Sequence, residues 1–212
     1  WEVLLDEATY KDINVIYGSK NYPAARAGAK EYLDKFKNGK YRKEVSAILE
    51  NSVLKPMEES YKALDYPSVV QLYDANSDWI GSWNNKAFKD RIKTMVAMSV
   101  YRLGSPSKAR TFYAEITPNP ANMDYAVLGY LLGDKNLKAD VNSFDKDTFK
   151  YIIGELEQLD TDMAVSLLDK YTRDKKYALS LKYSLAKNIP SDAKRQQILM
   201  SIYDTIRQDS GA

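Results

Sequence analysis

The chain has 212 residues, of which 44% are hydrophobic and 28% are charged, and its formal net charge is +2. This composition excludes a disordered chain, gives no general support to nucleic-acid binding, and leaves no apolar run near the roughly 18 residues of a membrane span. The absence of cysteine and histidine excludes disulfides, thiol nucleophiles, Cys/His zinc sites and histidine-based triads. We therefore predict no enzymatic activity, no cofactor and no metal site.

The N-terminal part of the chain predicts four helices that are joined by short turns. Apolar residues recur at helical spacing, and Gly18 and the pair Asn38-Gly39 mark turns. Pro56 is expected to kink or divide the third helix, because proline removes a backbone donor and clashes with the preceding turn. The predicted helices cover residues 2–17, 22–36, 41–64 and 66–75.

Residues 76–85 interrupt this rhythm. Trp79 and Trp83 lie four residues apart in a polar stretch that contains a glycine, which fits either one helical turn or a packed loop. Tryptophan is enriched where proteins bind one another, so the pair is a candidate anchor for a partner. The alternative is that both rings fill a gap between two imperfectly matched repeats.

The rest of the chain is also helical in pattern. Residues 87–103 have the clearest apolar stripe, which Gly104 ends. No stretch alternates with period two for long enough to form a strand, so we predict an all-α fold with ten to eleven helices. The further predicted helices cover residues 105–116, 122–132, 145–159, 160–173, 176–188 and the segment after 190.

Three stretches share a spaced pattern of small and aromatic residues that lies on one helix face. They begin at Tyr22, Tyr66 and Pro106, and a period of roughly 40 residues indicates stacked helical hairpins. The three copies are Tyr22, Ala25, Ala29 and Tyr32; Tyr66, Val69 and Tyr73; and Pro106, Ala109, Tyr113 and Ile116, with a weaker echo at Ala164, Leu168 and Tyr171.

These residues resemble the second half of a tetratricopeptide repeat, in which a glycine-containing turn precedes a helix that ends at a proline. Gly104 and Pro118 complete that template around the third copy, whereas Lys37 stands where proline is usual after the first. Because the family's period is about 34 residues, these repeats are divergent. The resemblance implies a right-handed α-solenoid, with repeat-like hairpins over residues 1–120 and further hairpins over 121–212 that continue it.

A second resemblance concerns the setting. The sequence from Tyr22 to Arg42 is similar to tetratricopeptide-like proteins of bacterial envelopes, including lipoproteins of the outer-membrane assembly type. The later half resembles periplasmic scaffold proteins of flagellar motors. These resemblances imply a protein–protein interaction scaffold in the periplasm or cell envelope, with protein partners. Because the chain opens at Trp1, we expect a piece of a longer protein whose signal or anchor lies elsewhere.

The candidate partner-binding residues are aromatic. The chain has 17 tyrosines, and a tyrosine ring with a polar end suits either packing between helices or a binding surface. The residues that we select for partner contact are Trp79, Trp83, Tyr73, Tyr101 and Tyr130.

Two other functional classes stay open. One is a helical-solenoid lytic enzyme that acts on the cell wall with a single glutamate as acid, for which Glu115 and Glu155 are candidates. The other is a cytosolic adaptor that binds a partner's peptide tail in a groove lined with lysine, arginine and asparagine. An acidic cluster at Glu155, Glu157, Asp160 and Asp162 is interpreted as helix-terminal charge, since acids favour helix N-termini.

Overall fold

The fold is all-α, as the sequence predicts. A computed structural model describes residues 2–134, 136–137 and 140–210. Within this part of the chain there are twelve α-helices, one short 3-10 turn and no strand. The predicted number of helices is too low by one, because the residues around Trp79 form a helix of their own. None of the described helices combines the length and the apolar character that crossing a membrane requires.

The contacts divide the chain into two compact units, residues 1–117 and residues 118–212. The division lies close to the predicted boundary at residue 120. The helices of the first unit are α1 (Glu2–Gly18), α2 (Tyr22–Lys35), α3 (Arg42–Lys62), α4 (Tyr66–Asp74), α5 (Ser77–Ser82), α6 (Lys86–Arg102) and α7 (Pro106–Ala114). The second unit contains α8 (Met123–Leu131), the 3-10 turn (Val141–Ser143), α9 (Lys146–Leu159), α10 (Thr161–Lys170), α11 (Lys175–Asn188) and α12 (Asp192–Ser210).

The first unit consists of three successive hairpins, α1 with α2, α3 with α4, and α6 with α7. Both helices of one hairpin contact the first helix of the next hairpin. Thus α1 and α2 both pack on α3, and α3 and α4 both pack on α6. Each hairpin therefore shares its apolar face with its neighbour.

Helix α3 continues without interruption through Pro56, so the division that the sequence predicts there does not occur. The residues on either side of the proline, Val53, Leu54 and Met57, are buried. A proline inside a helix costs about 3 kcal/mol, whereas burying one large apolar side chain contributes about 1.5–3 kcal/mol. Packing around the proline therefore outweighs its local cost.

The three hairpin turns share one backbone geometry. Lys20, Leu64 and Gly104 have positive φ angles of 62°, 59° and 80°. Their spacing along the chain is the same as that of the three copies of the sequence pattern. In each turn the next amide donates to a carbonyl five positions before it, which closes the helix end in a Schellman motif. These nitrogen-to-oxygen distances are 3.3 Å (Asn21 to Ile16), 2.9 Å (Asp65 to Ser60) and 3.1 Å (Ser105 to Val100).

The repeated small residue lies where helices approach closely. Ala25, Val69 and Ala109 each follow the left-handed residue by five positions, and all three are completely buried. A small side chain one turn into the second helix of a hairpin lets a neighbouring helix come near. The sequence pattern is therefore a record of packing between hairpins.

A buried hydrogen-bond network closes the first hairpin onto the loop that leads to α3. The Tyr32 hydroxyl donates to the Asp6 carboxylate, whose other oxygen accepts the Lys40 amide at 2.8 Å. The Tyr41 amide donates to the Tyr32 oxygen at 3.2 Å. Burial, and secondly the bond to Asp6, raise the pKa of Tyr32 to about 12. A β-carbon at Gly39 would lie 2.6 Å from the Tyr32 oxygen, so the loop requires glycine at this position.

The second unit connects its helices differently. The helices α8 to α12 pack in sequential order, each on the next. Asp145, Asp160 and Asp174 precede α9, α10 and α11, and each carboxylate accepts an amide of the following first turn at 2.7–3.0 Å. The Phe149 and Tyr171 rings stack in the core with centroids 3.9 Å apart.

Candidate partner-binding surface

Helix α5 is the element that interrupts the repeat, and it carries both candidate tryptophans. It lies in the chain between α4 and α6, where the second hairpin ends and the third begins. The Trp79 and Trp83 rings contact each other with centroids 4.8 Å apart and planes tilted by 48°. Trp79 also meets the Phe88 ring of α6 edge-on at 6.0 Å. The stretch is therefore a helical turn rather than a loop.

Both tryptophans pack against the core of the first two hairpins while part of each ring stays exposed. The core cluster beneath them includes Ala29, Val45 and Leu49. The two interpretations that the sequence leaves open therefore both describe these rings in part. Their inner faces fill the space between hairpins, and their outer edges are accessible.

Polar contacts from distant helices orient this short helix. The Lys30 ammonium of α2 lies 6.0 Å from the Trp79 ring centroid. The Trp83 indole nitrogen donates to Glu50 of α3, and Asn85 donates to the same carboxylate at 3.0 Å. These three partners were not selected from the sequence. Lys30 and Glu50 belong to helices far earlier in the chain, and no local pattern signals such pairing.

The outer side of α5 is exposed and small. Asp78, Gly81 and Ser82 are exposed, and a β-carbon built on Gly81 would meet nothing within 4 Å. We define the α5 surface as residues 77–83. It combines two partly exposed indole rings with open space around the helix, an arrangement that can accept an apolar side chain of a partner between or beside the rings.

The other three selected residues lie at different places. Tyr73 meets the Phe112 ring of α7 edge-on at 5.3 Å, and burial raises its pKa. Tyr101 is half-buried in the last turn of α6. Tyr130 belongs to α8 of the second unit, and there too burial is the main cause of a raised pKa. The structure therefore supports the two tryptophans as one contiguous surface and gives the three tyrosines separate surroundings.

The glutamates considered as acid catalysts do not share the setting that such a role requires. A catalytic acid needs an apolar pocket that keeps it protonated near neutral pH. Glu115 instead forms an ion pair with Lys93 and has 53% of its side chain exposed. Glu155 lies half-buried on α9.

The acidic cluster of the second unit is engaged within the protein. Glu157 accepts the Asn188 side-chain amide at 2.9 Å, Asp160 caps α10, and Asp162 pairs with Lys194 at 2.7 Å. Among the described residues no group of three or more acidic side chains is arranged to hold a metal ion. These contacts fit the helix-terminal interpretation.

Comparison with known proteins returned no match to a family model, to a curated protein or to a solved structure. The functional argument therefore depends on the packing of the helices and on the α5 surface.

Proposed function

We propose that this chain is a non-enzymatic protein–protein interaction scaffold built on a right-handed, tetratricopeptide-like α-solenoid. The observation that carries the proposal is the packing order of the first unit, in which both helices of each hairpin contact the first helix of the next. A hairpin of this kind cannot bury its apolar face alone and does so by stacking on its neighbours. Stacked hairpins present a large, continuous surface, which is the usual working part of a solenoid protein.

The stretched period has a structural source that is compatible with divergent repeats. In one interval the first helix of the hairpin, α3, is 21 residues long. In the next, the six-residue helix α5 is added between two hairpins. Both additions lie outside the turns, and the turns keep the same left-handed geometry. An added helix that bears two partly exposed tryptophans suits contact with a partner.

The setting that we propose is a bacterial cell-envelope assembly. The candidates are the periplasmic part of a flagellar motor and an outer-membrane assembly complex. Its support is the resemblance of Tyr22 to Arg42 and of the later half to such proteins, together with a chain that contains no cysteine. The partner would be another protein of the same assembly, bound at the α5 surface.

A matched pair of glycine substitutions tests the α5 surface. Gly81 and Gly154 both lie in helices, and a β-carbon at either would meet nothing within 4 Å. Gly81→Arg places a long charged side chain on the α5 surface, whereas Gly154→Arg places the same side chain on α9. The partner is first identified by cross-linking and mass spectrometry in cells that make the protein. Its dissociation constant is then measured with each purified variant.

We expect Gly81→Arg to weaken partner binding at least tenfold and Gly154→Arg to leave it unchanged. Trp79→Ala should weaken binding about 30-fold, since a central tryptophan contributes about 2 kcal/mol or more to an interface. Its melting temperature is recorded alongside, because the ring also packs on the core. Wild-type affinity for Gly81→Arg would refute the assignment of this surface.

A further inference from the structure

A second surface follows the hairpin turns of the first unit. Tyr17 and Tyr22 flank the first turn with ring centroids 5.9 Å apart, and Tyr61 and Tyr66 flank the second at 6.1 Å. Both pairs meet edge to face, and all four rings are half-exposed. The second pair follows the first by the same interval that separates the left-handed turn residues. We define the tyrosine edge as Tyr17, Tyr22, Tyr61, Tyr66 and the exposed turn residue Leu64.

Leu64 has no packing role that explains its conformation. Its φ angle is 59°, a region that leucine rarely adopts, and 68% of its surface is exposed. Glycine occupies the equivalent place in the third turn, where Gly104 has a φ of 80°. Strained residues are concentrated at functional sites, where a specific side chain is worth the strain. The exposed leucine therefore supplies an apolar contact point between two tyrosine pairs.

The charges along this edge favour an acidic partner. Lys20, Lys62 and Arg102 provide one cation in each of the three turns. Glu59 lies 3.6 Å from Lys20 and accepts the Tyr22 hydroxyl at 3.4 Å. The Asp65 carboxylate accepts a backbone amide at the start of α4. The acids of this edge are thus engaged within the protein, while Lys62 is exposed and Arg102 lies 5.7 Å from the Tyr66 ring centroid.

We propose that the tyrosine edge binds an extended, proline-rich segment of a partner protein that carries acidic residues. A polyproline II helix advances about 9 Å in each turn of three residues. Packed helices lie about 8–10 Å apart, so successive turns of such a segment meet successive tyrosine pairs. Grooves lined with aromatic rings are the surfaces that recognise this conformation, and the cations select acids among its side chains. This surface is separate from the α5 surface, and each can fail without the other.

Fluorescence polarisation of labelled synthetic peptides tests the proposal. The full chain is titrated against (Pro-Pro-Glu)4, against (Pro-Pro-Lys)4, and against the flexible acidic peptide (Gly-Ser-Glu)4. We expect (Pro-Pro-Glu)4 to bind at least tenfold more tightly than either other peptide. Equal binding of the flexible acidic peptide, or no binding of (Pro-Pro-Glu)4 at 1 mM protein, would overturn the proposal.

Two variants locate the binding on the tyrosine edge. Leu64→Gly removes the apolar contact and also relieves strain, so it should weaken peptide binding at least fivefold while the protein becomes no less stable. Lys62→Glu should weaken binding to a similar degree, and Lys150→Glu, which changes the net charge equally on α9, should not. If both edge variants bind (Pro-Pro-Glu)4 as the wild type does, the peptide binds elsewhere and the assignment is wrong.

Discussion

In residues 1–117 each hairpin closes through a residue with positive φ and a backbone bond that spans five positions. In residues 118–212 the connections from α9 to α12 use extended residues instead, and an aspartate opens both α10 and α11. Both units consist of short, closely connected helices. The repeat of the first unit is therefore a property of its turns, and helix content alone does not define it.

The weaker sequence echo in the second unit illustrates the difference. Ala164, Leu168 and Tyr171 are buried, as their counterparts in the first unit are. The residue before their helix, Asp160, has a φ of −152°, so no left-handed turn precedes it. Apolar spacing predicts burial in both units, but it identifies a repeated hairpin only where the turn recurs as well.

The largest effect should come from Gly39→Ala, which attacks the loop between the first and second hairpins. The added β-carbon would lie 2.6 Å from the Tyr32 oxygen and 2.9 Å from the Phe36 β-carbon. Overpacking of this kind costs about 1–3 kcal/mol. Unfolding in urea followed by tryptophan fluorescence reports on this unit, because all three tryptophans lie in residues 1–117.

The matched control for Gly39→Ala is Gly154→Ala in the second unit. Its β-carbon would lie in open space within α9, so stability should rise by about 0.5–1 kcal/mol. Far-ultraviolet circular dichroism measures that change. An unchanged urea midpoint for Gly39→Ala would show that the loop does not depend on the close approach.

Alkaline pH should weaken the first unit through Tyr32. Its pKa is about 12 in the folded chain and about 10 in an unfolded one, so the stabilisation is complete below pH 10 and is lost as pH rises toward 12. At pH 11 the loss amounts to about 1 kcal/mol. Urea titrations at pH 9 and pH 11 measure it, and Tyr32→Phe should have a shallower pH dependence. Equal slopes for the two proteins would contradict the role of the buried hydroxyl.

Gly104→Ala tests the left-handed turn directly. A β-carbon in this region costs about 1–2 kcal/mol, so we expect the free energy of unfolding of the first unit to fall by about 1 kcal/mol. Gly133→Ala is the counterpart in the second unit, where a φ of 64° and the same type of backbone bond end α8. Similar losses would show that this turn acts alike in both units. No loss for Gly104→Ala would remove the turn as the basis of the repeat.

The smallest effect should be a gain, from Leu64→Gly. Relief of the positive φ angle exceeds the extra chain entropy of glycine, so stability should rise by about 0.5–1 kcal/mol. The neighbouring third turn supplies the control, since Leu103 has a φ of −81° and Leu103→Gly should only destabilise. Thermal and urea unfolding of both variants measure the difference. A loss of stability for Leu64→Gly would mean that its side chain has a packing role.

Much of the fold could be predicted because local signals and tertiary packing agree. Gly18, Asn38-Gly39 and Gly104 mark real helix ends, and the predicted boundaries lie within a few residues of those observed. The continuity of α3 through Pro56 could not be predicted, because burial on α2, α4 and α6 decides it. The positive φ angles of Lys20 and Leu64 were also invisible, since neither residue type favours that conformation.

The candidate site was only partly accessible from the sequence. Trp79 and Trp83 stand out as tryptophans four residues apart in an irregular stretch. Glu50 and Lys30, which hold them, are ordinary charged residues on distant helices, and only the fold brings them to α5. Tyr73, Tyr101 and Tyr130 were selected by residue type, and type alone does not separate a packed tyrosine from a binding one.

Site-directed photo-cross-linking in cells that make the protein tests the proposed function most directly. A photoreactive amino acid is placed at Ser82 on the α5 surface and, as the control, at the exposed Lys150 of α9. The account predicts one discrete protein adduct from Ser82 that disappears in Trp79→Ala and is absent from Lys150. The same adducts from both positions, or an adduct from Ser82 that Trp79→Ala does not change, would contradict a partner bound at α5.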